Sequence, residues 1–323
     1  MRCLVTGVAG FIGSSIAEKL VSDGHEVIGL DCFLPYYPRE VKEQNIAQLL
    51  DSKLFQFVER DLLDGDIIGE FGEFEWIFHQ AAQAGVRASW GEYFQTYTRN
   101  NVLATQRLLE SIRNHGHKTR FVYASSSSIY GDAESFPTRE DLTPAPVSPY
   151  GVTKLAAEHL ARLYASQFDV HTVSLRYFTV FGPRQRPDMA FHRFCKAALL
   201  GQEITLYGDG EQSRDFTYIS DIVDANIRAA QMGLKGSYYN IGGGEVVTVN
   251  AVLERLESLV GKPLNVNRVA RQAGDARHTS ANTERAQREI EYHPTVSVFD
   301  GLARELQWVE KNLELLGTGS WQG

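Results

Sequence analysis

Short apolar runs alternate with helix-length amphipathic stretches through the first half of the chain. We predict strands at residues 2–6, 26–30, 55–59, 76–79, 121–125 and 171–176. Helices are predicted between them, beginning near Phe11, Thr98 and Pro149. Apolar strands separated by connections of this length are typical of a parallel sheet whose crossover helices cover both faces. The pattern therefore predicts an α/β fold built on a doubly wound, Rossmann-type parallel sheet.

The pattern loosens after about residue 178, where glycines and prolines interrupt shorter apolar segments. Helical segments are predicted near 192–200, 221–232, 249–259 and 299–312. We interpret this half as a smaller α/β domain at the C-terminus. The first domain is placed at residues 1–177 and the second at 178–323, with later segments around 216–245 returning to the first.

Composition excludes several classes of function. A net charge of -8 and a pI near 5.6 argue against a broad nucleic-acid surface, since phosphates would be repelled over most approaches. Cys3, Cys32 and Cys195 lie far apart in the sequence, without the spacing of a metal site or a disulfide framework. No apolar stretch approaches membrane-spanning length. We expect a soluble cytoplasmic protein with neither nucleic acid, membrane nor metal as a partner.

A glycine-rich turn follows the first predicted strand, where residues 7–13 read Gly-Val-Ala-Gly-Phe-Ile-Gly. Glycines let backbone N–H groups approach a pyrophosphate, and the N-terminus of the following helix adds positive potential. The spacing is GxxGxxG rather than the commoner GxGxxG, and glycines also simply close turns. The turn predicts dinucleotide contacts from Gly7, Gly10, Phe11, Ile12 and Gly13.

Two acidic residues follow the next strands. Asp31 comes after the second strand, where a carboxylate accepts both ribose hydroxyls of NAD and repels the extra phosphate of NADP. The position of Asp31 therefore predicts NAD as the cofactor. Asp61 and Leu62 follow the third strand and are candidates for the adenine pocket, although Asp61 is equally well explained as an exposed loop residue.

Tyr150 and Lys154 are four residues apart, so both project from the same face of a helix that begins near Pro149. A free tyrosine has a pKa of about 10, and a neighbouring ammonium lowers it toward the range of a useful base. Such a pair also occurs by chance on helix surfaces. Ser126 lies just after the strand at 121–125, at the carboxyl edge where open parallel sheets bind ligands. The three residues are therefore predicted to be catalytic.

Together, the segments 6–13 and 125–131 and the Tyr150-x-x-x-Lys154 motif resemble the extended short-chain dehydrogenase/reductases over essentially the whole chain. The resemblance implies a catalytic triad of Ser126, Tyr150 and Lys154. Tyr150 would act as the base, and Lys154 would bind the nicotinamide ribose. It also implies that the domain at 1–177 binds NAD.

The second half is similar to the nucleotide-sugar branch of that family in segments 176–183, 186–191 and 213–218. This resemblance implies a UDP-sugar-binding domain at 178–323, with Arg214 on the diphosphate and Asp275 on the uridine ribose. Related epimerases carry an arginine three residues before that acid, where this chain has Gln272, and Arg271 is the alternative contact. Further predicted substrate contacts are Ala190, Phe191 and Tyr207.

Members of this branch oxidise the sugar at C4, and nearby groups decide the fate of the keto sugar. Similar 4,6-dehydratases carry an Asp-Glu pair, and uronate decarboxylases a Glu, just before the Tyr-Gly that is Tyr130-Gly131 here. This chain has Ser127 and Ser128 instead. Without a carboxylate to move protons at C5 or C6, the predicted outcome is rotation of the keto sugar and return of the hydride, which is epimerisation.

The segments at 85–87 and 186–191 resemble those of UDP-glucuronate 4-epimerases. Ser127, Ser128 and Thr179 supply three hydroxyls, and Arg87 and Arg186 supply charge, as an anionic sugar requires. The serines are also explained by turn hydrogen bonds, and the arginines by solvated loops.

Alternative functions are a UDP-glucose/galactose epimerase, a UDP-glucuronate decarboxylase and a non-catalytic NAD-binding sensor. The family resemblance also suggests a homodimer, formed by the helices at 93–114 and 149–168.

Overall fold

The computed structural model describes residues 1–116, 118–133, 135–270 and 278–317. The strands are β1 (Arg2–Thr6), β2 (Glu26–Asp31), β3 (Phe55–Glu59), β4 (Trp76–His79), β5 (Arg120–Ser126), β6 (His171–Tyr177), β7 (Thr179–Phe181), β8 (Ile204–Tyr207), β9 (Ser213–Tyr218), β10 (Ser237–Ile241), β11 (Val246–Thr248) and β12 (Val266–Val269). The helices are α1 (Phe11–Ser22), α2 (Arg39–Ile46), α3 (Ile67–Phe71), α4 (Phe94–Tyr97), α5 (Ala104–His115), α6 (Pro149–Phe168), α7 (Ala190–Leu200), α8 (Ile219–Met232), α9 (Val249–Val260), α10 (Glu284–Ile290), α11 (Val298–Lys311) and α12 (Leu313–Leu316).

A sheet of 7 strands forms the centre of the molecule, in the order β10-β6-β5-β4-β1-β2-β3. Every pairing in it is parallel. The strand order reverses between β1 and β4, which is the switch point where open parallel sheets form a ligand crevice. The predicted doubly wound, Rossmann-type fold is therefore confirmed, with each of the six predicted strands in this sheet.

The edge strand β10 was not predicted from the sequence. It pairs with β6 from Ser237 opposite Val173 to Ile241 opposite Tyr177. The chain reaches it through α8, which packs against α1 of the first domain. Residues of the second half thus complete the central sheet, as the predicted return around 216–245 requires, while the domain boundaries themselves remain a prediction.

The second half adds two small sheets to the large one. One has the order β11-β9-β7, with β11 antiparallel and β7 parallel to β9, and the other joins β12 to β8 in parallel. Three rings, those of Phe181, Phe191 and Phe216, pack together between β7, α7 and β9. One apolar cluster runs without interruption from Cys3 in β1 to Leu302 in α11. The two halves of the chain therefore share a core.

Helix α6 begins where the sequence predicts it, and its first turn explains why. Ser148 is the N-cap, and its hydroxyl accepts a hydrogen bond from the amide of Gly151 at 3.1 Å. Pro149 occupies the first helical position, where its missing N–H costs nothing. The cap and the proline together set the start of the helix that carries Tyr150 and Lys154.

The helix predicted from Thr98 begins with a π-helical segment, Thr98–Leu103, before α5. The buried side chain of Asn101 donates to the carbonyl of Gln83 and to the hydroxyl of Thr153, both at 3.0 Å, and accepts from the Gln83 amide at 2.7 Å. Single π turns commonly occur at functional sites, because the extra residue re-aims a side chain. Here the segment ties the loop after β4 to α6. None of the helices in the described ranges is long and apolar enough to cross a membrane.

The cap of α6 can be tested by Ser148→Ala. Loss of the hydroxyl leaves the Gly151 amide without its acceptor, so we expect the free energy of unfolding to fall by about 1 kcal/mol. Urea denaturation measures this value. Ser166→Ala is the control, because its hydroxyl donates to the Leu163 carbonyl within the same helix. Equal stability of the two variants would show that the cap does not support α6.

Candidate active site

The glycine turn lies between β1 and α1 and has no room for side chains. Gly7 has a φ of 68°, and a Cβ there would lie 2.6 Å from the amide nitrogen of Ala81. A Cβ on Gly13 would lie 2.2 Å from the carbonyl oxygen of Gly7. Gly10 is the N-cap of α1 and offers no side-chain cap, so the first amides of the helix face the crevice. This turn suits a dinucleotide pyrophosphate, which needs close backbone approach and amide donors.

Asp31 ends β2 on the wall of the same crevice. Its carboxylate accepts hydrogen bonds from the amides of Ala9 at 3.1 Å and Phe33 at 2.9 Å. Burial raises the pKa of Asp31, and these amide donors together with the charge of Lys42 oppose that rise. The carboxylate is therefore held in a fixed direction beside the turn, where the ribose of a bound NAD would lie.

Asp61 and Leu62 also line the crevice. Asp61 accepts from the Leu63 amide at 2.9 Å and pairs with Arg99 at 2.7 Å, so its carboxylate already has two partners. Leu62 is buried against the core on the α5 side of the sheet. The structure places both residues at the crevice, and their contact with adenine remains a prediction.

The three predicted catalytic residues come together at the carboxyl end of β5. Ser126 ends the strand, and Tyr150 and Lys154 lie in the first turns of α6. Tyr150 hydrogen-bonds to Ser126, and the ammonium of Lys154 donates to the Ala124 carbonyl at 2.8 Å. Tyr97 packs edge-on against Tyr150, with ring centroids 6.2 Å apart. The phenol is thus oriented by a hydroxyl on one side and a ring on the other.

Burial acts on both Tyr150 and Lys154 and favours their neutral forms. It raises the pKa of Tyr150, and the hydrogen bond from Ser126 and the charge of Arg186 partly reverse this effect. It lowers the pKa of Lys154 to about 7. Since this lower pKa leaves Lys154 only partly charged near neutral pH, a second positive charge beside Tyr150 adds to its effect on the phenol. Arg186 supplies that charge.

Arg186 comes from the second half of the chain and lines the crevice with Tyr150. Its guanidinium makes a two-point ion pair with Asp188, at 3.0 Å from Nε and 2.9 Å from Nη2. The hydroxyl of Tyr36 donates to the same carboxylate at 3.3 Å. Sequence analysis missed Asp188 and Tyr36; the spacing of two residues between Arg186 and Asp188 was the available signal.

Two of the three hydroxyls predicted to bind the sugar carboxylate, those of Ser127 and Ser128, directly follow Ser126 in the chain. Ser127 and Ser128 open a 3₁₀ segment, Ser127–Ile129, that follows β5 directly. The Ser126 hydroxyl caps this segment by accepting from the Ser128 amide at 3.1 Å. Ser126 therefore accepts a backbone hydrogen bond of the turn, which is the role that the sequence offered as the alternative for Ser127 and Ser128. Ser127, Ser128 and Thr179, at the start of β7, are all half-buried.

Arg87 and Tyr207 approach each other from the two halves of the chain. Arg87 is exposed in the short segment Arg87–Ser89, and its guanidinium carbon lies 5.2 Å from the centroid of the Tyr207 ring. Tyr207 ends β8, while Arg214 is half-buried in β9 and donates to the Ser213 carbonyl at 2.9 Å. These placements keep all three available as substrate contacts, and that role remains a prediction.

The last predicted contacts differ in what they offer a ligand. Ala190 is exposed at the first position of α7. The Phe191 ring is buried 4.4 Å from that of Phe216, so only its backbone can reach a substrate. Asp275, with Arg271 and Gln272, lies outside the described residues.

Two buried charged residues beneath the site were missed by the sequence analysis. Arg176 pairs with Glu158 at 2.6 Å, and both side chains are buried. Glu158 extends the four-residue spacing of Tyr150 and Lys154 by one further turn of α6. That spacing was a signal for Glu158, whereas Arg176 had none outside the resemblance.

Residues 3–242 match the model of the NAD dependent epimerase/dehydratase family. The match covers well over half of the chain and includes the glycine turn, Ser126, Tyr150 and Lys154. The chain belongs to this family, and the predicted relationship is confirmed.

Individual relatives carry more specific names. The chain is 44% identical to an uncharacterised UDP-glucose epimerase, YtcB, of Bacillus subtilis (strain 168), over 96% of this chain and 98% of that protein. It is 37% identical to a UDP-glucuronate 4-epimerase of Thermodesulfobacterium geofontis (strain OPF15), over 97% of each. The crystal structure of UDP-glucuronic acid 4-epimerase from Bacillus cereus with UDP-glucuronic acid and NAD superposes with a TM-score of 0.91 at 41% identity, covering 96% of this chain and 99% of that one.

The buried lysine predicts a pH dependence of stability. The pKa of Lys154 is about 7 in the folded chain, against 10.5 for a free lysine. Between these pH values the unfolded chain binds more protons, so this group makes the free energy of unfolding rise with pH. Lys154→Met removes that contribution. The stability gained by the variant over the unmodified protein should therefore be larger at about pH 7 than at about pH 9.

Urea denaturation of the cofactor-free protein at both pH values measures this difference. Lys53→Met, at an exposed position, is the matched control and should show no such trend. A stability difference for Lys154→Met that is the same at both pH values would contradict the assigned pKa.

Proposed function

We infer that this protein is an NAD-dependent UDP-sugar 4-epimerase whose substrate is UDP-glucuronate and whose product is UDP-galacturonate. The observation that carries the substrate choice is the position of Arg186, a cation on the crevice wall close enough to act on Tyr150. A uronate carboxylate offers this cation a charge-assisted hydrogen bond, which a neutral hexose does not. The UDP-glucuronate 4-epimerases among the relatives, similar over nearly their whole length, support the same choice.

The reaction uses the site residues in distinct roles. Tyr150 removes the proton of the C4 hydroxyl, and Ser126 orients the Tyr150 phenol through the hydrogen bond between them. Lys154, fixed by the Ala124 carbonyl, binds the nicotinamide ribose. The glycine turn and Asp31 would hold NAD, and the bound cofactor would supply the acceptor and donor of the C4 hydride. After the keto sugar has rotated, Tyr150 returns its proton to the C4 oxygen on the opposite face.

The serines after β5 direct the outcome toward epimerisation. A 4-keto uronate is a β-keto acid, and it loses carbon dioxide when its carboxylate bond stands perpendicular to the carbonyl plane. Hydroxyls from Ser127, Ser128 and Thr179, with the charge of Arg186, hold the carboxylate away from that orientation. No carboxylate side chain occupies positions 127 or 128 to remove a proton from C5. Dehydration and decarboxylation therefore lack a dedicated group at these positions.

A neutral-sugar epimerase is the second candidate, because the Bacillus subtilis relative at 44% identity is named as a UDP-glucose epimerase. That reaction would use Ser126, Tyr150 and Lys154 identically. It would leave the hydroxyl cluster and Arg186 without a carboxylate to bind. The two candidates therefore differ in substrate and share the chemistry at C4.

Incubation with UDP-glucuronate and, separately, with UDP-glucose decides between them, with products resolved by proton NMR. We expect UDP-galacturonate as the main product, without UDP-xylose or a UDP-4-keto-pentose. Tyr150→Phe removes the base and should lower kcat by at least about 100-fold. UDP-galactose formed from UDP-glucose, with UDP-glucuronate left unchanged, would assign the neutral-sugar reaction. No turnover of either sugar, with NAD still bound, would indicate a sensor.

We also propose that the enzyme is a cytoplasmic homodimer. Cys3, Cys32 and Cys195 are all free thiols, which suits a reducing compartment. Leu103, just before α5, and Val152 and Leu163 on α6 are between 45% and 50% exposed, and α5 and α6 pack against each other. A second copy, packing α5 and α6 against their equivalents, would bury these side chains.

Light scattering on Leu163→Glu tests the dimer. A buried carboxylate at the interface is expected to shift the mass from dimer to monomer. Leu50→Glu is the control, because Leu50 is 56% exposed and lies between α2 and β3, next to the opposite edge strand of the central sheet. A monomeric unmodified protein, or a dimer unaffected by Leu163→Glu, would exclude the proposed interface.

A further inference from the structure

The Arg176–Glu158 ion pair lies beneath the active site, and neither residue lines the crevice. Glu158 is one turn of α6 beyond Lys154, and Arg176 lies near the end of β6. The side-chain exposure is 2% for Arg176 and 0% for Glu158, with 2.6 Å between Nη2 and Oε1. Buried ion pairs contribute little net stability, because desolvation offsets their attraction. A role other than stability has to explain why this pair lies here.

The hydrogen bonds of the pair show which segment it holds. Glu158 accepts from the Ser125 hydroxyl at 2.6 Å, and Arg176 donates to the Tyr130 hydroxyl at 2.6 Å. Ser125 immediately precedes Ser126, and Tyr130 immediately follows the segment Ser127–Ile129. The ion pair therefore hydrogen-bonds to the residues on both sides of the active-site serine segment, residues 126–129.

The same pair connects that segment to its surroundings. Glu158 belongs to the helix that carries Tyr150 and Lys154. Tyr130 in turn donates to the side chain of Asn240 in β10 at 2.7 Å. Hydrogen bonds thus connect the serine segment to α6 on one side and to the edge strand β10 on the other. All the side chains that make these bonds are buried.

We propose that Glu158 and Arg176 are positioning residues for catalysis. They set the hydroxyls of Ser126, Ser127 and Ser128 relative to the Tyr150 phenol. The proposal deepens the proposed function, since it rests on the serine segment binding the sugar during C4 chemistry. If the serine segment is not held in place, it releases the substrate carboxylate while the sugar is a 4-keto uronate. Carbon dioxide then leaves with its bonding electrons kept at C5, C5 takes a proton from solvent, and the hydride stays on the reduced cofactor.

Tyr130→Phe removes the hydrogen bond from Arg176, and Ser125→Ala removes the hydrogen bond to Glu158. Both variants leave the ion pair intact and should therefore fold. With UDP-glucuronate we expect kcat for epimerisation to fall about tenfold and KM to stay within about twofold. We also expect the fraction of turnovers that end as UDP-4-keto-pentose with stoichiometric reduced cofactor to rise at least about fivefold over the unmodified enzyme. Proton NMR and the absorbance of the reduced nicotinamide measure the two products.

Tyr164→Phe is the matched control, since its hydroxyl bonds Gln106 and Glu110 at the far end of α6. It should leave both kcat and the product fraction unchanged. If Tyr130→Phe and Ser125→Ala behave like this control, or lower kcat without changing the product fraction, the pair is only structural and the proposal is overturned.

Failure of the proposed function gives a different result. If the unmodified enzyme converts UDP-glucose and not UDP-glucuronate, the substrate assignment is wrong. The positioning role of Glu158 and Arg176 is then tested by the amount of reduced cofactor left after UDP-glucose turnover. More of it in both variants than in Tyr164→Phe supports the positioning role, and an equal amount overturns it. Glu158→Gln, which keeps the shape of the side chain and removes its charge, should show the same product shift when it folds.

Discussion

Parallel pairing of the central strands is the constraint on which the whole site depends. Because β1, β4 and β5 run in the same direction, their carboxyl ends meet at one edge of the sheet. That edge carries the glycine turn after β1, Asp31 at the end of β2 and Ser126 at the end of β5. The order of strands reverses between β1 and β4, so two sets of connections diverge there and leave a crevice. The residues predicted to bind the cofactor and those predicted to be catalytic are neighbours for this reason, although they are far apart in the sequence.

Burial at that edge shifts the pKa values of Tyr150 and Lys154, and a charge from the second half of the chain partly reverses the shift at Tyr150. Low solvent access favours a neutral phenol at Tyr150 and a neutral amine at Lys154, and both effects oppose base catalysis. Arg186 brings a permanent charge to the same wall. Asp188 and Tyr36 hold that charge in place, with Tyr36 reaching from the first half of the chain. The positive charge beside Tyr150 is therefore held by contacts that span both halves.

The second half is joined to the first through the core and through the sheet. The apolar cluster is continuous between them, and β10 completes the central sheet beside β6. Asn240 of β10 also meets Tyr130, which ends the active-site serine segment. The part of the chain that we assign to the UDP-sugar is thus in direct contact with the part that carries the predicted catalytic residues.

Local sequence signals determined six strands, the glycine turn and the start of α6, because periodicity, backbone freedom and helix capping act between residues close in the chain. The spacing of Tyr150 and Lys154 likewise placed both on one helical face. Only the tertiary structure decided that β10 joins β6, that a π-helical segment turns Asn101 toward Thr153, that Arg176 pairs with Glu158, and that Tyr36 donates to Asp188. It alone decided the lowered pKa of Lys154 as well. Strand partners, buried ion pairs and desolvation depend on distances between residues remote in sequence, and those distances exist only once the chain has folded.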